Sequence, residues 1–313
     1  MKEQDYIYEV YLERSFSKAA KKLFVSQPAL SMTVRKVEEK LGITIFDRSS
    51  TPLSLTDEGK IYIDALEEIR LVEQSLKDKL SDMAELKHGH VTVSGENFVS
   101  SFILPEVLMQ FSRKYSGINV ELVESNSPDL RQLLLSESID LLVAHDFDNT
   151  LYEARELFEE QVLLAVPCDF SVNNQLKEYS MTAEDIKNGI HKKKPAVNLS
   201  KFSNEEFLIL RQGNDMCRRA MLLCEEAGFQ PNTRIKLDQL ITAYNLSCAG
   251  MGLTFVSDIL VEKAAVPGCF YYRLESPIVY RKMSIGYKKN RYINHAAAAF
   301  IETAVNLFSN RSE

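Results

Sequence analysis

Apolar positions fall into three textures along the chain. Up to residue 56 they recur at short helical spacings. From residue 57 to 88 they step along one seam of a long helix. After His90 they gather into runs that alternate with helical stretches. In the first texture, Tyr6, Ile7, Val10, Tyr11 and Phe16 suit one helix face. Ser17 is a candidate N-cap for a second helix, Lys18 to Phe24, with Ala19, Ala20 and Leu23 turned inward. A third helix is predicted from about Gln27 to Lys40. Ser26 caps it, and Pro28 sits in its first turn, where a missing N–H is harmless. Leu30, Val34, Val37 and Leu41 form its buried stripe, and Gly42 stops it. The opposite face shows Gln27, Ser31, Met32, Arg35 and Lys36. Residues 43–46 and 53–55 are β-prone runs flanking a polar turn, which predicts a two-stranded wing.

The second texture, Asp57 to His88, reads as one helix of roughly 48 Å. Ile69, Val72, Leu76, Leu80 and Met83 line its seam. Such a seam needs cover, from a second copy by coiled-coil pairing or from the rest of its own chain. His88 and His90 have no third ligand nearby, so no metal site is expected.

The third texture predicts strands at residues 90–94, 118–123 and 139–144, separated by helices at 102–115 and 128–136. This order implies a mostly parallel sheet. Further strands are expected at 163–166, 207–210, 252–256 and 284–287, with a closing helix from His295 to Phe308. The fold class is α/β overall. Ligands of open α/β sheets sit beyond the carboxyl ends of strands. The candidate effector-binding residues are therefore Asn97, Phe98, Ser100, Ser101, Ser127, His145, Gln212 and Asn214. Their hydroxyls and amides suit a small anionic metabolite.

Composition adds two constraints. The chain of 313 residues carries 37 basic and 44 acidic side chains, a net charge of −7, which argues against a general polyanion binder. Yet residues 14–37 hold Arg14, Lys18, Lys21, Lys22, Arg35 and Lys36 with no acid. A local basic patch is hidden in an acidic whole. No apolar run approaches the ~18 residues of a membrane span, and the N-terminus carries acids where an export signal needs a basic start. The cytoplasm is the expected compartment. Five cysteines without CxxC spacing exclude a disulfide framework or a zinc ribbon as organising principle. Cys217 and Cys224, seven apart, share a helix face, as a redox pair or as two small buried side chains. There is no GxSxG, P-loop, HExxH or GxGxxG signature, so no enzyme activity and no cofactor are expected.

A helix, a short turn and a helix opening on Gln27 and Ser31 fit a helix-turn-helix whose second member enters the major groove. Gln reads adenine bidentately, Ser either base, and Arg or Lys contacts guanine or phosphate. Lys21 and Lys22 read as phosphate contacts or as solvated charges.

At this density of landmarks the stretch from Ser15 to Gly59 resembles the winged helix-turn-helix of LysR-type transcriptional regulators. The match is carried by Phe16, Ala19-Ala20, Leu23, Ser26-Gln27-Pro28-Ala29-Leu30-Ser31, Glu38, Leu41-Gly42, Phe46, Arg48, Leu55-Thr56 and Gly59. Fainter echoes lie at Leu104-Pro105, residues 139–142 and residues 249–253. The resemblance implies a DNA-binding domain at residues 1–58, a dimerising linker helix at 59–89 and an effector-binding domain at 90–313. That domain is expected to be periplasmic-binding-protein-like, with subdomain I at 90–163 and 269–313 and subdomain II at 164–268. It implies a promoter-binding homodimer or homotetramer, controlled by a small molecule between the subdomains and acting on RNA polymerase. The DNA-facing set is Ser17, Lys18, Lys21, Lys22, Ser26, Gln27, Pro28, Ser31, Met32, Arg35, Lys36 and Arg48. Many members carry Arg where this chain has Met32, which exchanges a guanine reader for a side chain suited to a thymine methyl. A solute-binding protein and an effector-independent DNA organiser are the alternatives.

Overall fold

Caps and apolar spacings place the first helices close to where the sequence puts them. In a computed structural model that describes residues 3–50, 52–82, 89–125 and 127–309, the chain divides into two compact units, Met1–Lys79 and Leu80–Glu313. The first unit opens with α1 (Glu3–Glu13), α2 (Phe16–Lys22) and α3 (Gln27–Leu41). Ser15, rather than Ser17, caps α2 by accepting from the Lys18 N–H, so Ser17 lies inside the helix. The helix ends at Lys22, two residues before the predicted end, because Leu23 and Phe24 belong to the turn. Ser26 caps α3, and Gly42 closes it at φ +70°, where a left-handed residue without Cβ is favoured. Leu30, Val34 and Val37 are buried as expected, whereas Leu41 is 48% exposed. The stripe ends where the helix runs beyond the core. Each fully buried aliphatic side chain here contributes roughly 1.5–3 kcal/mol.

The wing consists of β1 (Phe46–Asp47) and β2 (Ser54–Leu55), paired antiparallel. Its turn is held from within: Ser49 donates to Asp47 Oδ1 and Ser50 to the Asp47 carbonyl. Then α4 (Asp57–Asp82) begins, with Thr56 Oγ1 accepting from the Gly59 N–H. A Cβ at Gly59 would stand 2.0 Å from the Ile45 carbonyl oxygen, so only glycine permits this approach of helix to wing. Ile63 and Leu66 of α4 complete the small core, while Ile69, Val72 and Leu76 remain exposed along the helix. The side chain of Leu80 and all of Met83 to His88 lie outside the described residues.

The second unit starts with β3 (Gly89–Gly95), α5 (Asn97–Phe102), α6 (Leu104–Lys114), β4 (Ile118–Glu124), α7 (Ser127–Leu135) and β5 (Leu141–His145). Strands β4, β3 and β5 are parallel neighbours, as the alternation of strand and helix predicts. The predicted helix at 102–115 is α6, and the short helix α5 precedes it, separated from it at Ile103 before Pro105. The long strand β6 (Tyr152–Pro167) changes the picture. It is followed by α8 (Ala183–Lys187), β7 (Glu206–Leu210), α9 (Asp215–Glu226), β8 (Asn232–Leu237), α10 (Leu240–Cys248), β9 (Thr254–Ser257), α11 (Asp258–Ala264), β10 (Cys269–Arg273), β11 (Tyr280–Lys288) and α12 (His295–Ser309). The main sheet runs β10-β6-β11-β5-β3-β4, with β9 also on β6 and β7 paired parallel to β8.

The sheet is mixed, which corrects the mostly parallel expectation: β11 is antiparallel to β5 and β6, and β6 is antiparallel to β9 and β10. Residues 152–161 of β6 pair with β11, and 162–167 pair with β9 and β10. Along β6 the partner strands thus change at Gln161/Val162, from β11 to β9 and β10. In the second lobe Val162 to Val166 are fully buried and alternate between two hydrophobic clusters. That is why this half of the strand reads as an unbroken apolar run. Cys217 and Cys224 both lie in the core on α9, and burial pushes the Cys224 thiol up to about 12. No described helix is long and apolar enough to cross a membrane.

Candidate functional site

Each unit presents a candidate site of its own. In the first, α3 turns its polar side outward. Gln27 and Pro28 are exposed, Ser31 is half-buried and Met32 is 72% exposed. Among the described residues, Gln27 and Ser31 have no side-chain partner. Ser26 is spent on its cap, accepting from the Ala29 N–H at 3.4 Å.

The basic residues divide. Lys18 and Lys21 are exposed and make no ion pair among the described residues. Lys22 instead reaches back to α1, 2.6 Å from Glu9 and 3.2 Å from Glu13, and these hydrogen bonds raise its pKa. Arg35 pairs with Glu39 at 2.9 Å and Lys36 with Glu3 at 3.3 Å, both at the surface. Arg48 lies 2.9 Å from Glu38 and stacks over the Phe16 ring at 5.3 Å. Its placement is that of a brace between wing and helices, not of a free cation at the wing tip.

Glu38 organises that brace. Its buried carboxylate accepts from the N–H groups of Ile45 and Phe46 and from Arg48. A buried acid so fully hydrogen-bonded ties α3 to the wing. The sequence singled out Glu38 only as a landmark of the family resemblance, and its role as a tie came with the fold.

In the second unit a cleft of about 410 Å³ opens at the carboxyl ends of β3, β4 and β5 and before α9 and α10. Asn97, Phe98, His145, Gln212 and Asn214 line it. Ser100 does not: it is buried, and its hydroxyl donates to the Gly95 carbonyl. Ser101 faces outward, off the cleft lining. Ser127 opens α7, but its side chain lies outside the described residues. Asn214 is partly engaged as the cap of α9, accepting from the Met216 N–H at 2.8 Å.

The floor is ionic. Arg281, 4% exposed in its side chain, lies 2.6 Å from Glu160 and 3.1 Å from Asp215. His145 Nε2 is 2.7 Å from Glu160. Asp215 also receives Arg219 at 2.8 Å and Arg218 at 2.6 Å, and both arginines reach Asp146, which follows β5 at φ +50°. Carboxylates and guanidiniums from both lobes and both crossing strands thus meet in one network. Burial would raise the Glu160 pKa, but the Arg281 charge and the His145 hydrogen bond outweigh it and bring it to about 2. The same balance of burial against Arg281 and Arg219 holds the Asp215 carboxyl well below its usual range. Arg281 is raised despite its burial, by Glu160 and Asp215.

None of Glu160, Asp215, Arg219 or Arg281 was picked out in the sequence. Glu160 and Arg281 face each other because they are paired residues of β6 and β11, a register that joins positions 121 apart in sequence. The remaining lining charges are Arg211, which pairs with Asp238 at 3.2 Å, and the carboxylates Glu96, Glu124 and Asp129. The basic groups of the cleft are therefore already matched to acids, which weakens the sequence argument for an anionic ligand.

A winged helix-turn-helix in one unit and a two-lobed α/β ligand cleft in the other define an effector-responsive, DNA-binding transcriptional regulator. Known proteins place it further. Residues 1–60 match the description "Bacterial regulatory helix-turn-helix protein, lysR family", and residues 84–309 match "LysR substrate binding domain". The chain belongs to the LysR family. It is 29% identical over 306 residues to the uncharacterized HTH-type transcriptional regulator YcgK of Bacillus subtilis, covering 96% of this chain and 93% of that one. It is 24% identical over 262 residues to the DNA-binding transcriptional dual regulator OxyR of Escherichia coli, covering 83% and 80%. Among solved structures, full-length CbnR complexed with its target DNA superposes with a TM-score of 0.69 at 19% identity, over 100% of both chains.

Proposed function

We propose that this regulator reads promoter DNA with the outer face of α3 and is switched by a small molecule in the cleft of its second unit. The observation that carries the switch is the ionic floor. Asp146 comes from one lobe, Arg218, Arg219 and Asp215 from the other, and Glu160 and Arg281 from the crossing strands. A ligand above this floor touches the groups that set lobe against lobe, so its binding energy can bias lobe position.

On DNA, Gln27 and Ser31 meet base edges, and Lys18 and Lys21 meet phosphates. Arg35 and Lys36 can exchange their surface carboxylates for phosphate at little cost, since exposed pairs are worth about 0–1 kcal/mol. Ser26 and Arg48 act indirectly, as cap and brace, and Ser17 and Pro28 shape α2 and the start of α3. In the cleft, Asn97, Gln212 and Asn214 offer amides. Glu96, Glu124 and Asp129 suit a ligand carrying an ammonium group, while an anion has to compete with carboxylates for Arg281 or Arg211.

The exposed Ile69, Val72 and Leu76 of α4 supply the seam for self-association as a homodimer, or a homotetramer of paired dimers, in the cytoplasm. Two α3 helices then enter successive major grooves about 34–36 Å apart, and a changed spacing alters DNA bending and polymerase access.

The test is a DNase footprint of the full-length protein on its own upstream region, combined with a thermal-shift panel of amino acids, amines and carboxylic acids. A ligand that raises the melting temperature is expected also to change the footprint length. A ligand that stabilises the protein while leaving the footprint unchanged at every concentration counts against the switch.

A further inference from the structure

Phe24 stands out in the helix-turn-helix. It is 96% exposed, the most exposed large apolar side chain among the described residues, and Met32 follows it. Its backbone is left-handed, at φ +56°. The other non-glycine residues of positive φ among those described are Arg14, Glu137, Asp146 and Asn290, all polar. A bulky ring is a poor choice for this conformation and gains nothing there from burial.

The turn explains why the ring points outward. Leu23 donates to the Ala19 carbonyl, Phe24 to Lys21 and Val25 to Ala20, so three successive N–H groups fix the turn onto α2. Leu23 and Val25 pack against the core. Phe24, between them, is held away from it. It stands two residues before the Ser26 cap and three before Gln27, with Lys21, which has no ion pair among the described residues, on the preceding turn of helix.

An apolar ring that the fold holds in water, next to the polar face of α3 and an exposed cation, implies cover from outside the unit. Residue backbones of strained conformation concentrate at binding sites. We infer that Phe24 is a sequence-reading residue: its ring covers the C5-methyl of a thymine at the edge of the major groove, beside the base edges met by α3. Phe and thymine methyl form a known apolar reading pair. Met32 supplies a second apolar contact on the same face. The inference rests on the reading that α3 enters the groove.

The experiment measures full-length protein on a duplex that the wild-type chain has selected from a random pool, and on copies with each thymine in turn replaced by uracil. The variants are Phe24→Asn, Phe24→Gly, Met32→Ala and Gln27→Ala. Asn and Gly tolerate positive φ, so both Phe24 variants are expected to keep the wild-type melting temperature or exceed it. Their affinity for the selected duplex is expected to fall about tenfold. Uracil at one position is expected to cost the wild type about fourfold, the worth of one buried methyl. At that position the Phe24 variants lose nothing further, while Met32→Ala stays sensitive.

Wild-type affinity in both Phe24 variants overturns the inference, as does sensitivity to uracil at every position in both. A lowered melting temperature in both means the ring is covered by protein, and overturns it too. If Gln27→Ala loses affinity while the Phe24 variants do not, only the role of Phe24 falls. If Gln27→Ala also binds as wild type, the groove-entering reading of α3 falls with it.

Discussion

The two candidate sites treat their cations in opposite ways. In the DNA-binding unit Lys18 and Lys21 are exposed and unpaired among the described residues, and the pairs of Arg35 and Lys36 lie at the surface. In the effector unit Arg219 and Arg281 are buried, and both are matched to carboxylates. The difference follows from solvation. A buried charge loses its water and must find an opposite charge within the fold, so its position becomes part of the fold. A charge left in water costs nothing to hold and stays free for a polyanion. Net charge misses this distinction: the chain is acidic at −7, yet residues 14–37 hold six basic side chains and no acid.

The strongest way to break the contrast is Glu160→Gln. It strips Arg281 of a buried partner and is expected to cost about 3–5 kcal/mol in urea unfolding of the effector unit. Band shifts should show DNA contacts retained as long as that unit stays folded. A loss under 1 kcal/mol would mean that the ionic floor is not structural.

Acid probes the same network without mutation. The Glu160 pKa is depressed to about 2 from an ordinary 4.5, so the carboxylate favours the fold fully above pH 4.5. Its contribution, roughly 3 kcal/mol, is lost as pH falls from about 4.5 towards 2. Thermal melts of the wild type and Glu160→Gln should therefore converge as pH falls through this window. Parallel curves would assign the acid sensitivity to other carboxylates.

On the open side, Gln27→Ala is expected to narrow the gap between specific and random DNA by about 1–3 kcal/mol. Equal losses on both would remove Gln27 from base reading. The smallest effect, and the sharpest for the comparison, sets Lys21→Ala against Lys22→Ala. The first is expected to lower the slope of log affinity against log salt by about 1, on any sequence. The second should change it less, because Lys22 is held by Glu9 and Glu13. Equal slopes in the two variants would show that DNA draws Lys22 out of its pairs.

How much of each site was legible follows the same division. The polar side of α3 could be read because its signals are local: a cap at Ser26, a proline in the first turn, and a three-and-four rhythm that leaves Gln27, Ser31 and Met32 off the buried stripe. Half of the cleft was legible for the same reason, since Asn97, His145, Gln212 and Asn214 follow strand ends. The hydroxyls proposed beside them were not secured by that rule. Ser100 folds back onto Gly95 because a short helix start consumes its own polar groups. Ser15 took the cap assigned to Ser17 because the two differ only in which N–H they can reach, and that depends on where the chain turns.

The amino-acid order by itself determined the winged helix-turn-helix, the long helix with its apolar seam and the first three strands of the second unit, because each is marked by apolar spacing and caps within its own segment. The tertiary structure alone decided the rest. Antiparallel pairing of β6 with β11 brings Glu160 to Arg281, and helix packing brings Arg219 to Asp146. The Glu38 carboxylate turns inward to hold Arg48, and Phe24 is left standing in water. These are choices about which charges are buried together and which side chains find no cover, and they depend on chain segments that meet only when the fold closes.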